Sequence, residues 1–198
     1  MSQQGPTHHA TATVEQRAAA IEAAMQERGL PAAAFIEEQG HLIEEQWVPQ
    51  NGARVVVKAW ADPAFRARLL ANGRQAVIEL GIPMPPHHRH LVALENTATV
   101  HNVICCTLCS CTAFTVIGLP PDWYKDLEYR ARVVRQSRSV LKEMGLELPA
   151  DMEIRVWDTT ADTRYIVLPL QPPQTVGWPE QKLLALVTRD SMIGVARL

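Results

Sequence analysis

The chain has 198 residues, 47% of them hydrophobic and 20% charged, the composition of an ordinary globular protein rather than a disordered or fibrous one. Its 19 Lys and Arg against 21 Asp and Glu give a formal charge of -2, which excludes a global basic field able to hold nucleic acid or an anionic membrane. All four cysteines fall between Cys105 and Cys111, so none is left elsewhere to receive a disulfide, and a secreted disulfide scaffold is excluded too.

Residues 1–12 are small and polar, include His8 and His9, and show no apolar period; they are expected to be disordered. They also lack the basic start and apolar stretch of a secretory signal, and no apolar run approaches the roughly 18 residues of a membrane span, which points to the cytoplasm. Thr13 and Gln16 have capping-box spacing, and Val14, Ala18, Ile21 and Met25 form one helical stripe that Gly29 and Pro31 end. A second helix is expected over 32–47, with Phe35, Ile36, Leu42, Ile43 and Trp47 on its apolar side. Val55–Val57 fit a strand or a buried helix equally. Asp62 before Pro63 is an N-cap followed by proline at the first helical position, and the stripe from Phe65 runs to Leu80.

Residues 13–82 therefore read as a helical N-terminal arm. Beyond it the texture turns β-rich, with strands expected over 91–94, 100–105, 154–157 and 165–168. Residues 159–162 would close a hairpin between the last two strands. Helices are expected over 123–134, 137–144 and 179–188, and a short final strand over 192–195. The fold class is α+β, with residues 83–198 as the second domain.

Cys106, Cys109 and Cys111 form C-x-x-C-x-C, three soft donors within six residues, flanked by polar Thr107 and Ser110. Such density in a reducing compartment points to a metal or redox site before it points to packing, although a free cysteine is also a common small core residue. Cys105 extends the apolar pair Val103-Ile104 and is expected to be core. Structural zinc wants four closed ligands, usually as two knuckles, and iron-sulfur ligation also wants four cysteines. There is no second C-x-x-C, and His101, on a strand running into the cluster, would more naturally point away. The C-x-C spacing offers another donor set: three sulfurs and two intervening backbone nitrogens, deprotonated, would fill five octahedral positions and leave the sixth open, a Lewis-acid site.

The hexapeptide from Cys106 to Cys111, with Glu95-Asn96-Thr97 before it and Gly118-Leu119-Pro120-Pro121-Asp122-Trp123 after it, resembles the α subunit of nitrile hydratase. The resemblance continues through Val156-Trp157-Asp158-Thr159-Thr160, Arg164-Tyr165 and Val187-Thr188-Arg189-Asp190, and covers nearly the whole chain from the first helix onward. It implies a layered α-β-β-α metal domain and one low-spin Co(III), or alternatively Fe(III), per chain. The ligands would be the sulfurs of Cys106, Cys109 and Cys111 and the backbone nitrogens of Ser110 and Cys111. Cys109 would be oxidised to sulfinate and Cys111 to sulfenate, and both would take part in catalysis. Thr107 is similar to the cobalt type, where the iron type tends to carry Ser.

The implied reaction is hydration of a nitrile to the amide, with a water or the Cys111 sulfenate oxygen attacking the activated carbon. The implied partners are a β subunit, a metal-loading activator and a small-molecule nitrile, with no nucleic acid and no membrane. Two departures concern the pocket. Phe114 stands where relatives have Trp nearby, and it either lines the substrate cavity or is core. His87 falls where several relatives carry Gln near the metal water, and its cluster with His88 and His90 reads either as a solvated loop or as part of the site. Both changes point to a specialised, bulky nitrile, of which a nucleoside such as toyocamycin is one example. The rival readings are a thiocyanate hydrolase catalytic subunit, a metal carrier and a thiol redox sensor.

Overall fold

The computed structural model describes residues 12–30 and 32–198. Residues 1–11, for which the sequence predicts disorder, and the helix-stopping Pro31 lie outside the described residues. The chain divides into two compact units, Met1–Leu42 and Ile43–Leu198, whereas the sequence places its boundary near residue 82.

In the first unit, α1 (Val14–Glu27) carries the expected capping box: Gln16 donates its amide to Thr13 Oγ1 at 3.3 Å, and the Thr13 amide donates to Gln16 Oε1 at 2.9 Å. None of its residues is buried, and Val14 and Ile21 stay exposed along the apolar stripe. The second helix, α2 (Ala32–His41), is shorter than expected. A π-turn over Leu42–Gln46 ends it before Trp47, and Asn51 Nδ2 takes up the freed Gln46 carbonyl at 2.7 Å.

The second unit begins with α3 (Pro49–Ala61), which settles the Val55–Val57 ambiguity in favour of helix; all three valines are buried. The single stripe expected from Asp62 to Leu80 is broken at Asn72 into α4 (Pro63–Ala71) and α5 (Gly73–Glu79). Asn72 leaves the helical region and its side chain accepts from the Gln75 amide at 3.1 Å, starting a new helix.

The four strands appear where the sequence places them: β1 (His90–Glu95), β2 (Val100–Cys105), β3 (Glu153–Asp158) and β4 (Thr163–Leu168). The expected hairpin between β3 and β4 does not form. β1 pairs with β4 and β2 with β3, both in parallel, as two two-stranded sheets. The chain does turn at 160–163, where the Thr163 amide donates to Thr160 Oγ1 at 3.1 Å, but the turn carries it from one sheet to the other. A parallel β2–β3 pair needs a crossover, and it is built from α6 (Phe114–Ile117), α7 (Asp122–Lys125) and α8 (Leu127–Glu143). The separate helices expected over 123–134 and 137–144 are therefore one helix after a short turn, bent where Gln136 leaves helical geometry (φ -134°, ψ 37°).

Near the C-terminus, α9 (Glu180–Leu186) is the last expected helix, and α10 (Arg189–Ile193) replaces the strand expected over 192–195. Thr188 and Ser191 cap α10 reciprocally, and Gly194 ends it at φ 95°, where a side chain would run into the Asn102 carbonyl. One apolar core joins Val56, Phe65, Val103, Ile104, Ile166 and Met192, all under 2% exposed, so α3–α5 share it with the strands. No helix among the described residues is long and apolar enough to cross a membrane.

Candidate metal centre

The cysteine loop leaves the carboxyl end of β2, and the β2–β3 register pairs Cys105 with Asp158, which sets the ends of the two strands side by side. The Thr159 amide continues the ladder to the Cys105 carbonyl at 2.9 Å. Past this point the loop has no strand partner, and side chains from elsewhere hold its backbone. Arg130 on α8 donates through Nε to the Cys106 carbonyl and through Nη2 to the Thr107 carbonyl, each at 2.8 Å. Asp158 accepts from the Thr107 amide at 2.9 Å and from its hydroxyl at 2.5 Å. Tyr124 donates to the Cys111 carbonyl at 3.2 Å and Tyr129 to the Ile104 carbonyl at 3.1 Å. Burial pushes both phenols up, so they remain protonated donors.

The loop reverses at Ser110, the one described non-glycine residue with positive φ, at 63°. The reversal brings the three sulfurs within 4.8 Å of one another, with Cys106 to Cys109 at 3.6 Å and Cys109 to Cys111 at 2.8 Å. Burial works against the Cys106 thiolate, yet the amides of Cys109, Cys111 and Leu108, with the Cys109 thiol, outweigh it and hold this thiol below its ordinary value. The Cys109 amide reaches the Cys106 sulfur at 3.3 Å. Burial, then the Cys109 hydrogen bond, pushes Cys111 up to about 11 against the pull of Arg164. Cys105 differs from all three: fully buried, its thiol is pushed up to about 12 by burial, then by Asp158 and Cys106, and it behaves as the core residue expected.

Three convergent soft donors on one loop fit a metal ion that prefers thiolates, and the backbone nitrogens of Ser110 and Cys111 lie within the same turn. His101 does not join them. It is buried, with Nε2 on the Gly194 carbonyl at 2.7 Å and Nδ1 at 3.3 Å from Asn96 Nδ2, as its strand position suggests.

Phe114 starts α6, half-buried, with its ring 4.5 Å from Trp47, 4.7 Å from His88 and 6.3 Å from His87. His87 is exposed. Its neighbour His88 is fully buried, and neither ring nitrogen has a hydrogen-bond partner. Burial, then the charge of Arg164, lowers His88 to about 4, so it is neutral at physiological pH. Arg164, buried at the start of β4, faces both His88 and Cys111 electrostatically; it donates to the Thr160 and Ala161 carbonyls, and its Nε is unpartnered. Asp158 and Arg164 lie in segments that resemble the family, but nothing local in the sequence marks either of them, or Arg130, for a role at the loop. Asp158 reaches the loop through the parallel β2–β3 register and Arg130 through the packing of α8, neither of which a local pattern shows.

Comparison with known proteins agrees with this geometry. Residues 12–196 match the family model described as nitrile hydratase, alpha chain. The chain is 46% identical to the cobalt-containing nitrile hydratase subunit alpha of Pseudonocardia thermophila, over 92% of this chain and 89% of that one. The structure of a double mutant of the Fe-type nitrile hydratase from Comamonas testosteroni Ni1 superposes with a TM-score of 0.91 at 54% identity, covering 96% of this chain and 92% of that one. Thiocyanate hydrolase subunit gamma of Thiobacillus thioparus is 37% identical, over 89% of this chain and 78% of its own length. The cysteine loop thus stands on a scaffold shared along nearly its whole length, and the chain belongs to the nitrile hydratase α-chain family.

Proposed function

We propose that the chain is the metal-bearing subunit of an enzyme that hydrates a nitrile, R–C≡N plus water giving R–C(O)NH2. The observation that carries the reading is the convergence of the Cys106, Cys109 and Cys111 sulfurs on one loop. These sulfurs and the backbone nitrogens of Ser110 and Cys111 would hold one trivalent cobalt or iron. When bound, the metal supplies Lewis acidity toward the nitrile. Thr107 favours cobalt, whereas the higher identity to the Fe-type enzyme favours iron, and elemental analysis separates them.

The chain's own groups then have distinct tasks. Cys109 and Cys111, as sulfinate and sulfenate, present oxygens at the open face of the loop, and the Cys111 oxygen or a water held there attacks the nitrile carbon. Phe114 and His87, with rings 6.3 Å apart, would line the substrate side, and the departures from the family at these two positions are what support a bulky nitrile. Leu108, 85% exposed at the loop tip, and the exposed Cys109 support a β subunit that covers the site and excludes water. An activator protein loads the metal. The confinement of all four cysteines to residues 105–111, with no disulfide between distant elements, supports residence in the reducing cytoplasm.

A panel of nitriles assayed for amide, alongside thiocyanate assayed for ammonia, tests the reading with the chain and its β partner together. Amide from nitriles supports it. Ammonia from thiocyanate alone would assign the chain to the thiocyanate hydrolase activity, which its 37% identity to that relative makes the second reading.

A further inference from the structure

We propose that Asp158, Thr107 and Arg130 hold the cysteine loop in the shape that receives a metal, and so govern how durably the chain retains it; the proposal rests on the reading of residues 106–111 as a metal loop. Strand pairing ends at Cys105, where the Cys105 carbonyl takes the Thr159 amide, so nothing in the sheet fixes the residues that follow. Three polar groups immediately beyond, the Cys106 carbonyl, the Thr107 amide and the Thr107 carbonyl, are each met by a charged side chain from another element.

Both anchors are two-pronged. Asp158 accepts the amide and hydroxyl of a single residue through its two oxygens, which fixes the orientation of that residue and not merely its position. Arg130 spans two consecutive carbonyls with its planar fork, which fixes the peptide between them. None of these contacts uses a sulfur, so the donor set remains available. The Cys106 sulfur instead faces inward, toward the Cys109 amide. A loop already shaped in this way has less conformational freedom to lose on taking up a metal. Asp158 and Thr107 are both exposed, so their interaction organises the loop without being part of the core.

The test uses the full chain produced with its partner subunit in medium supplying cobalt or iron. Metal per chain, the rate of metal loss to a chelator and the sulfur-to-metal charge-transfer absorption are measured, with the unfolding temperature as a control. Removing an outer partner of a metal site weakens binding about 10- to 100-fold. Asp158→Ala is therefore expected to lose metal at least about tenfold faster than the parent and to shift the absorption band. Thr107→Val should do the same to a lesser degree and Thr107→Ser should restore parental retention. The double variant should be no worse than Asp158→Ala, because that substitution already removes the hydroxyl bond that Thr107→Val breaks. Because Thr107→Val is a near-isosteric change at an exposed position, its effect is readable even if Asp158→Ala unfolds. A metal-loaded parent whose Asp158→Ala and Thr107→Val variants keep parental retention and spectrum overturns this proposal alone. A parent without metal overturns the metal-loop reading and this proposal with it.

Discussion

Two loops of the Ile43–Leu198 unit treat an ionisable side chain in opposite ways. In the cysteine loop, Cys106 is almost fully buried, yet backbone amides supply the sulfur with donors, and its thiol is held below its ordinary value. In the loop between α5 and β1, His88 is also fully buried, but its two ring nitrogens have no partners and the imidazole is held neutral. Burial raises the free energy of either charged form. What differs is the surrounding hydrogen-bond supply, which favours an anionic donor in one place and suppresses a cation in the other. Burial alone therefore does not identify a functional ionisable group.

Adjacent substitutions at Cys105 and Cys106 separate a buried thiol supplied with backbone donors from a buried thiol without them. Cys106→Ala is expected to abolish stoichiometric metal binding, since it removes one of three sulfurs. Cys105→Ala should leave metal content at the parental value and lower stability by about 1 kcal/mol, the usual size of a small core change. Elemental analysis of both variants beside thermal unfolding separates the two effects.

The histidine loop is tested by pH. The folded pKa of His88 lies near 4, below the unfolded value of about 6.5, so below pH 6.5 the unfolded chain takes up a proton that the folded chain refuses. Stability from this group is thus complete above pH 6.5 and falls as pH drops toward 4, by up to about 3 kcal/mol. His101, also lowered by burial, contributes in the same direction. Urea unfolding across this range should show the slope, and His88→Gln should flatten it.

A smaller effect is expected where the sheet hands over to the cysteine loop. Tyr129→Phe leaves the Ile104 carbonyl buried without its donor, at a cost of about 1–3 kcal/mol. The unfolding temperature should fall, while metal content per folded chain stays within about twofold of the parent, because Tyr129 anchors the strand rather than the thiols.

The convergence of Cys106, Cys109 and Cys111 was legible in the sequence because their spacing is local, as were the four strands and the capped starts at Thr13 and Asp62. What was not legible depends on partners far away in the chain. The turn at 159–162 reads as a hairpin, which would place Asp158 beside β4. Parallel pairing with β2 instead carries it to Thr107, and no local pattern distinguishes the two arrangements. Residues 192–195 read as a strand because a short apolar run suits either structure, although Thr188 and Ser191, spaced as a reciprocal cap, mark the start of α10. His87 and His88 are chemically identical neighbours, and only tertiary packing buries the second while leaving the first in solvent.

The central claim, that residues 106–111 form a metal centre and not merely a group of thiols, is tested most directly by elemental analysis of the purified complex coupled to the mass of the peptide spanning Cys105 to Cys111. The expected result is one cobalt or iron per chain, with oxygen added at Cys109 and Cys111 and Cys105 unmodified. A complex without stoichiometric metal, whose Cys106, Cys109 and Cys111 are recovered as reversible disulfides, would contradict it.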